Sequence, residues 1–179
     1  MQYYNLRLCG LERDLPLIFL GPKTKIASFS ILGDGELVNK VALKLALKLK
    51  RFNFDLIVGP EVKVVPLIQE LSNVLGKKQY VICRKSIKPY MVSPIVFHPV
   101  NLKRNLRSLV IDGKDAEILK GKKVIVVDDV VSTGTTVEAI KSLMEKVGAK
   151  VVTIASILKQ GEIYKENLIF LEKLPIFEN

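Results

Sequence analysis

The chain contains no tryptophan, one histidine and two cysteines, and only 7% of its 179 residues are aromatic. The single His98 excludes a conventional Cys/His zinc site, and Cys9 and Cys83, each in an apolar stretch, cannot form a disulfide framework. No run approaches the ~20 apolar residues that a membrane span needs, and no charged segment followed by an apolar core opens the sequence. A soluble, cytoplasmic protein with reduced thiols is therefore expected. Also missing is the string Gly-x-x-x-x-Gly-Lys-Ser/Thr. Gly76-Lys77, Gly113-Lys114 and Gly121-Lys122 lack its spacing and following hydroxyl, which excludes a P-loop triphosphatase. Acids are in the minority, 18 against 28 Lys and Arg, for a net charge of +10. Most lysines read as scattered over exposed helix faces, as with Lys40, Lys44 and Lys48 opposite Leu37, Val41, Leu45 and Leu49. Without interleaved aromatics or Arg-rich runs, this charge points to a small polyanion; neither nucleic acid nor membrane is an expected partner.

What is present alternates. Phe54–Val58, Gln79–Cys83, Lys123–Asp128 and Lys150–Leu158 read as buried strands, and Val64–Leu75 and Thr133–Val147 as helices closed by Gly76 and Gly148. Such alternation predicts an α/β fold, a doubly wound, mainly parallel sheet covered by helices, in one domain spanning 1–179. Ligands of these sheets bind beyond the carboxyl ends of the strands. Leu106–Ile111 and Asp115–Leu119 read as a pair of short strands around the turn Asp112-Gly113. The stretch 86–112, with Pro89, Pro94 and Pro99 and no sustained period, reads as a flexible lid.

The most informative segment is Val124–Thr136, Val-Ile-Val-Val-Asp-Asp-Val-Val-Ser-Thr-Gly-Thr-Thr. A strand carries two adjacent carboxylates near its end, and a hydroxyl-and-glycine loop then opens a helix. Backbone N–H groups at the start of a helix offer a phosphate several donors without a cationic side chain. Asp128 and Asp129 repel a phosphate but suit hydroxyls or a hydrated divalent cation. The segment resembles the phosphoribosyl diphosphate signature of type I phosphoribosyltransferases, most closely those of the adenine-specific, purine-salvage kind. The resemblance implies that Asp128 and Asp129 hold the ribose hydroxyls and act in catalysis. It assigns the 5′-phosphate to Val131, Ser132, Thr133, Gly134, Thr135 and Thr136. It further implies Mg²⁺, bound through ligand, water and these acids.

Two more loops follow strands. Gly59-Pro60-Glu61-Val62-Lys63 is similar to the family's pyrophosphate loop, with Lys63 where arginine is usual and Val64 in place of a final glycine. Arg84-Lys85-Ser86-Ile87-Lys88 is similar to the family's basic loop. The resemblance thus gives pyrophosphate Pro60, Glu61, Val62, Lys63, Arg84, Lys85 and Lys88. Residues 1–35 and 160–179 resemble the family's base-binding hood; Phe29 within it, and Lys159 at the end of the strand Lys150–Leu158, are candidate base contacts.

The implied reaction moves 5-phosphoribosyl from phosphoribosyl diphosphate to a purine base, in a homodimer. Ser132 points to adenine, because 6-oxopurine enzymes of the animal type carry aspartate there. Lys159 points the other way, since an ammonium donates to a 6-oxo group and cannot accept from an amino group. A non-catalytic sensor of phosphoribosyl diphosphate is the further alternative.

Overall fold

The computed structural model describes residues 1–99 and 108–178. Alternating apolar residues at the start fold as an antiparallel meander of β1 (Tyr3–Leu8), β2 (Leu11–Phe19) and β3 (Thr24–Ala27). Leu6, Leu8, Leu15 and Ala27 face the core. Helix α1 (Gly35–Leu49) buries Leu37, Val41, Leu45 and Leu49, while Lys40, Lys44 and Lys48 stay exposed, as the spacing requires. Asp34 caps it by accepting from the Leu37 amide at 3.0 Å.

The central sheet follows. Its strands are β4 (Leu56–Pro60) and β5 (Tyr80–Cys83), separated by α2 (Val65–Val74), then β8 (Lys123–Val131) and β9 (Lys150–Gln160), separated by α4 (Thr135–Lys146). Between the two halves lie β6 (Ile95–Phe97), β7 (Leu109–Ile111) and α3 (Gly113–Leu119). Strands β10 (Leu168–Ile169) and β11 (Glu172–Leu174) both pair with β9, and β12 (Ile176–Glu178) crosses to β3. The order β10-β9-β8-β4-β5 is parallel throughout, with β11 also on β9.

Residues of period two feed two cores. Ile57, Ile125 and Val127 pack with α1 and α2 on one face, and Leu56, Val58, Val124 and Val126 pack with α3 and α4 on the other. The sheet is thus doubly wound. From β4 the chain winds outward to β5, and from β8 it winds the opposite way through β9 to β10, so the direction reverses between β4 and β8. Crevices in such folds open at that point. Strands β4 and β8 pair only from Leu56↔Val124 to Val58↔Val126, whereas β8 stays paired with β9 as far as Val131↔Lys159. The acids of β8 therefore stand where β4 has turned away.

The structure corrects one expectation. Asp115–Leu119 is not a strand but part of α3, because Ala116 and Leu119, three residues apart, both bury into the second core. Strand β7 pairs instead with β6, inside the proline-containing stretch expected to be irregular. Part of that stretch, 100–107, falls outside the described residues, as do Leu106 and Arg107 of the expected strand. Strand β8 also runs three residues beyond its expected end at Asp128, carrying both acids within it.

Candidate active site

Adjacent residues of a strand start toward opposite faces, yet the two carboxylates lie close enough that Asp129 acts directly on Asp128. Asp128 leaves β8 toward α4, and Asp129 toward the loop that joins β4 to α2. Both are buried, 7% and 9% exposed. Each accepts from the next amide: the Asp129 N–H donates to Asp128 Oδ1 at 2.8 Å, and the Val130 N–H to Asp129 Oδ1 at 3.0 Å. These bonds fix both side chains at the mouth of the crevice. Burial, with the neighbouring Asp129 charge second, holds the Asp128 carboxyl well above the ordinary carboxylate range.

A cavity of about 590 Å³ opens over this pair, lined by Pro60, Glu61, Val62, Lys63, Val64, Lys85, Leu109, Asp128, Asp129, Val130 and Thr136. A smaller one of about 130 Å³ adjoins it, formed by Ser132 to Val137 with Asp128, Val130 and Val131. The smaller cavity is a cradle of main chain. Gly134, the N-cap of α4, has φ +80°, a conformation that costs a residue with a Cβ. The Thr133 and Thr135 hydroxyls lie 2.8 Å apart. The first-turn amides of α4 lack carbonyls within the helix, so they are free to meet an anion at its positive end.

The cationic side is built from two loops. Lys63 Nζ stands 4.0 Å from Asp129 Oδ2 and donates to the Phe29 carbonyl at 3.2 Å, touching both the acid pair and the segment after β3. Glu61 joins the loops: its Oε1 accepts from the Lys85 amide at 2.8 Å, and its Oε2 lies 3.5 Å from Arg84. The peptide between Glu61 and Val62 is cis. Gly59, just before this loop, is sterically required, since a Cβ there would fall 2.4 Å from the Val127 carbonyl oxygen.

Of the residues singled out from sequence, the two cavities bring together Asp128, Asp129, Val131 to Thr136, Pro60 to Lys63 and Lys85. Four others lie apart from both linings. Arg84 pairs with Glu61, and Lys88 Nζ donates to Ser86 Oγ at 2.9 Å. The Phe29 ring is core, 4% exposed. Lys159 Nζ lies 2.8 Å from Glu162, whose carboxyl these hydrogen bonds, first from Lys159 and then from Lys173, hold down at about 2. His98, in the loop, shares a 2.8 Å hydrogen bond with Ser108.

Sequence reasoning did not place Leu109 and Val130 in the lining. Leu109 sits in a three-residue strand whose partner lies across the undescribed stretch.

A doubly wound sheet thus carries paired acids at its reversal point, between an amide cradle and a cationic loop. Comparison with known proteins gives the family. The model of the phosphoribosyl transferase domain matches residues 31–170, and the chain belongs to that family. It is 34% identical over 151 residues to an adenine phosphoribosyltransferase of Thermosipho africanus, covering 79% of this chain and 84% of the other. It is 32% identical over 180 residues to that of Thermosipho melanesiensis, covering 96% and 98%. Among solved structures, adenine phosphoribosyltransferase from Thermoanaerobacter pseudethanolicus superposes with a TM-score of 0.68 at 27% identity, over 89% of this chain and 95% of the other.

Proposed function

We propose that the protein transfers 5-phosphoribosyl from phosphoribosyl diphosphate to adenine, giving AMP and pyrophosphate. The observation that carries the reading is the buried pair Asp128 and Asp129 at the β4/β8 reversal, with amides on one side and Lys63 and Lys85 on the other. Adenine rests on relatives of that name at 31–34% identity, together with the small Ser132. Against the 6-oxopurine alternative, Lys159 lies outside both cavity linings and pairs with Glu162.

In this reading the cradle from Val131 to Thr136 holds the 5′-phosphate. Asp128 and Asp129 meet the ribose hydroxyls, and Asp129, whose Oδ2 is unpartnered beside the cavity, favours the cationic sugar that develops as the C1′–O bond breaks. Lys63 and Lys85, backed by Arg84 and Lys88, face the pyrophosphate that takes the bonding electron pair. The base nitrogen forms the new bond to C1′ and releases its proton. Water exclusion matters, because hydrolysis competes for the same cation.

Mg²⁺ fits this donor set. Asp129 Oδ2 is buried and has no hydrogen-bond partner, so it is a free acceptor beside the cavity. Among the described residues no group of three or more acids, histidines or cysteines gathers, which suits an ion that keeps several waters and ligand oxygens. When bound, Mg²⁺ supplies charge neutralisation on the diphosphate.

A homodimer accompanies the proposal, supported by the exposed Ile87, Tyr90 and Val92 on one stretch of chain. No helix of the described residues is long and apolar enough to cross a membrane. Incubation with phosphoribosyl diphosphate, Mg²⁺ and each of adenine, hypoxanthine, guanine, xanthine and uracil, read by pyrophosphate release, tests the function. Adenine alone should turn over. Turnover only with a 6-oxopurine replaces the base assignment, and binding without turnover of any base favours a sensor.

A further inference from the structure

We propose that Tyr164, in the loop between β9 and β10, is a positioning residue that holds the Ser132–Thr136 cradle in its anion-binding shape without touching the anion. This rests on reading that cradle as the 5′-phosphate site.

An anion site made of amides works only while those amides converge, and a run of Ser-Thr-Gly-Thr-Thr has much conformational freedom to lose. The cradle has little to hold it from within. Its N-cap, Gly134, offers no side-chain hydrogen bond to α4, and the Thr133–Thr135 contact is internal to the loop. The outside support comes from Tyr164, 4% exposed in the core that α4 shares with the sheet. Its ring lies flush against Gly134: a Cβ built on that glycine would fall 2.1 Å from Cδ2 and 2.4 Å from Cε2. The ring thus occupies the space that any other backbone path or side chain at 134 would use.

The hydroxyl makes a second attachment one turn further on, donating to Glu138 Oε1 at 2.9 Å. Glu138 itself donates its backbone N–H to the Gly134 carbonyl at 2.9 Å. Ring and hydroxyl therefore grip the two ends of the first turn of α4. Glu138 Oε2 lies 3.5 Å from Lys141, which also reaches Glu166 at 3.7 Å, so the loop bearing Tyr164 is tied to α4 twice. Burial, and then the bond to Glu138, raise the Tyr164 hydroxyl far above its ordinary range, so it remains a donor at all working pH values.

Calorimetric titration with two separate probes, ribose 5-phosphate for the cradle and inorganic pyrophosphate for the cationic loops, tests the assignment in Tyr164→Phe and Tyr164→Leu. Tyr164→Leu should weaken ribose 5-phosphate about 10-fold while pyrophosphate stays within about twofold, with Tyr164→Phe in between. In turnover, KM for phosphoribosyl diphosphate should rise while kcat at saturation is kept. Should Tyr164→Leu not fold, Tyr164→Phe, which keeps the ring, carries the test. Unchanged ribose 5-phosphate affinity in the variants, or a parallel loss of both probes, overturns the positioning role. Wild-type protein that binds pyrophosphate but no ribose 5-phosphate overturns instead the assignment of the cradle.

Discussion

Asp128 and Asp129 are neighbours in sequence but belong to different faces of the sheet, and their environments separate their roles. Asp129 keeps a buried oxygen free beside the cavity and has Lys63 4.0 Å away. Asp129→Asn should therefore lower kcat/KM on the order of 100-fold while leaving the thermal midpoint almost unchanged, as steady-state kinetics and calorimetry on one preparation would reveal. Equal activity would remove Asp129 from the mechanism. Asp128 is instead a proton-linked residue. Its raised carboxyl makes the folded ligand-free protein hold a proton that an unfolded chain gives up near pH 4. Its contribution to stability is thus fully present below that ordinary value and is lost as pH rises through the raised one. The thermal midpoint of wild type, measured relative to Asp128→Asn, should fall as pH is taken from 4 to 8. A constant difference across that range would contradict the linkage.

At the scale of elements, the start of α1 joins the two sheets. Arg13 of β2 reaches Asp34 at 2.7 Å and Glu36 at 2.8 Å, while Asp34 also caps the helix. The bond from Arg13 is the chief reason the Asp34 carboxyl sits below its ordinary range. Asp34→Ala removes cap and ion pair together and should cost about 1–2 kcal/mol in chemical denaturation at pH 7. Because a lowered carboxyl stabilises above its ordinary value and stops doing so as pH falls through the lowered one, the cost should shrink below about pH 4.

Elements whose period matches their burial were legible in the sequence. Helix α1 shows its buried face at i, i+4, i+8 and i+12, and β8 is apolar on both sides because helices cover both. The acids and the cradle were legible for the same reason, as polar residues interrupting such a pattern. Helix α3 was not, since seven residues barely display a helical period and Asp112-Gly113 mimics a hairpin turn. The pairing of β3 with β12 joins residues some 150 positions apart, and no local signal encodes it. Tyr164 escaped because its meaning lies in the missing side chain of Gly134, thirty residues earlier.

For the whole molecule, the excess of cations acts at a distance. A net charge of +10 around a cavity that receives a polyanion should speed encounter, and dissolved salt should screen the effect within about 10 Å at 0.1 M. With Mg²⁺ fixed, kcat/KM for phosphoribosyl diphosphate should fall about threefold or more between 20 and 300 mM KCl, while kcat holds. A flat profile in initial-rate measurements would mean that the charge serves something other than capture.

The four-stranded sheet β1-β2-β3-β12 alternates in direction, so β1 begins and β12 finishes toward the same rim, three strand spacings apart across the sheet and about four residues apart along it, or roughly 20 Å. A bridge of about eight residues would span that gap. The protein should therefore tolerate circular permutation: joined there and reopened at the exposed Lys78–Gln79 link before β5, the rearranged chain should fold with its catalytic crevice intact, as its turnover would report.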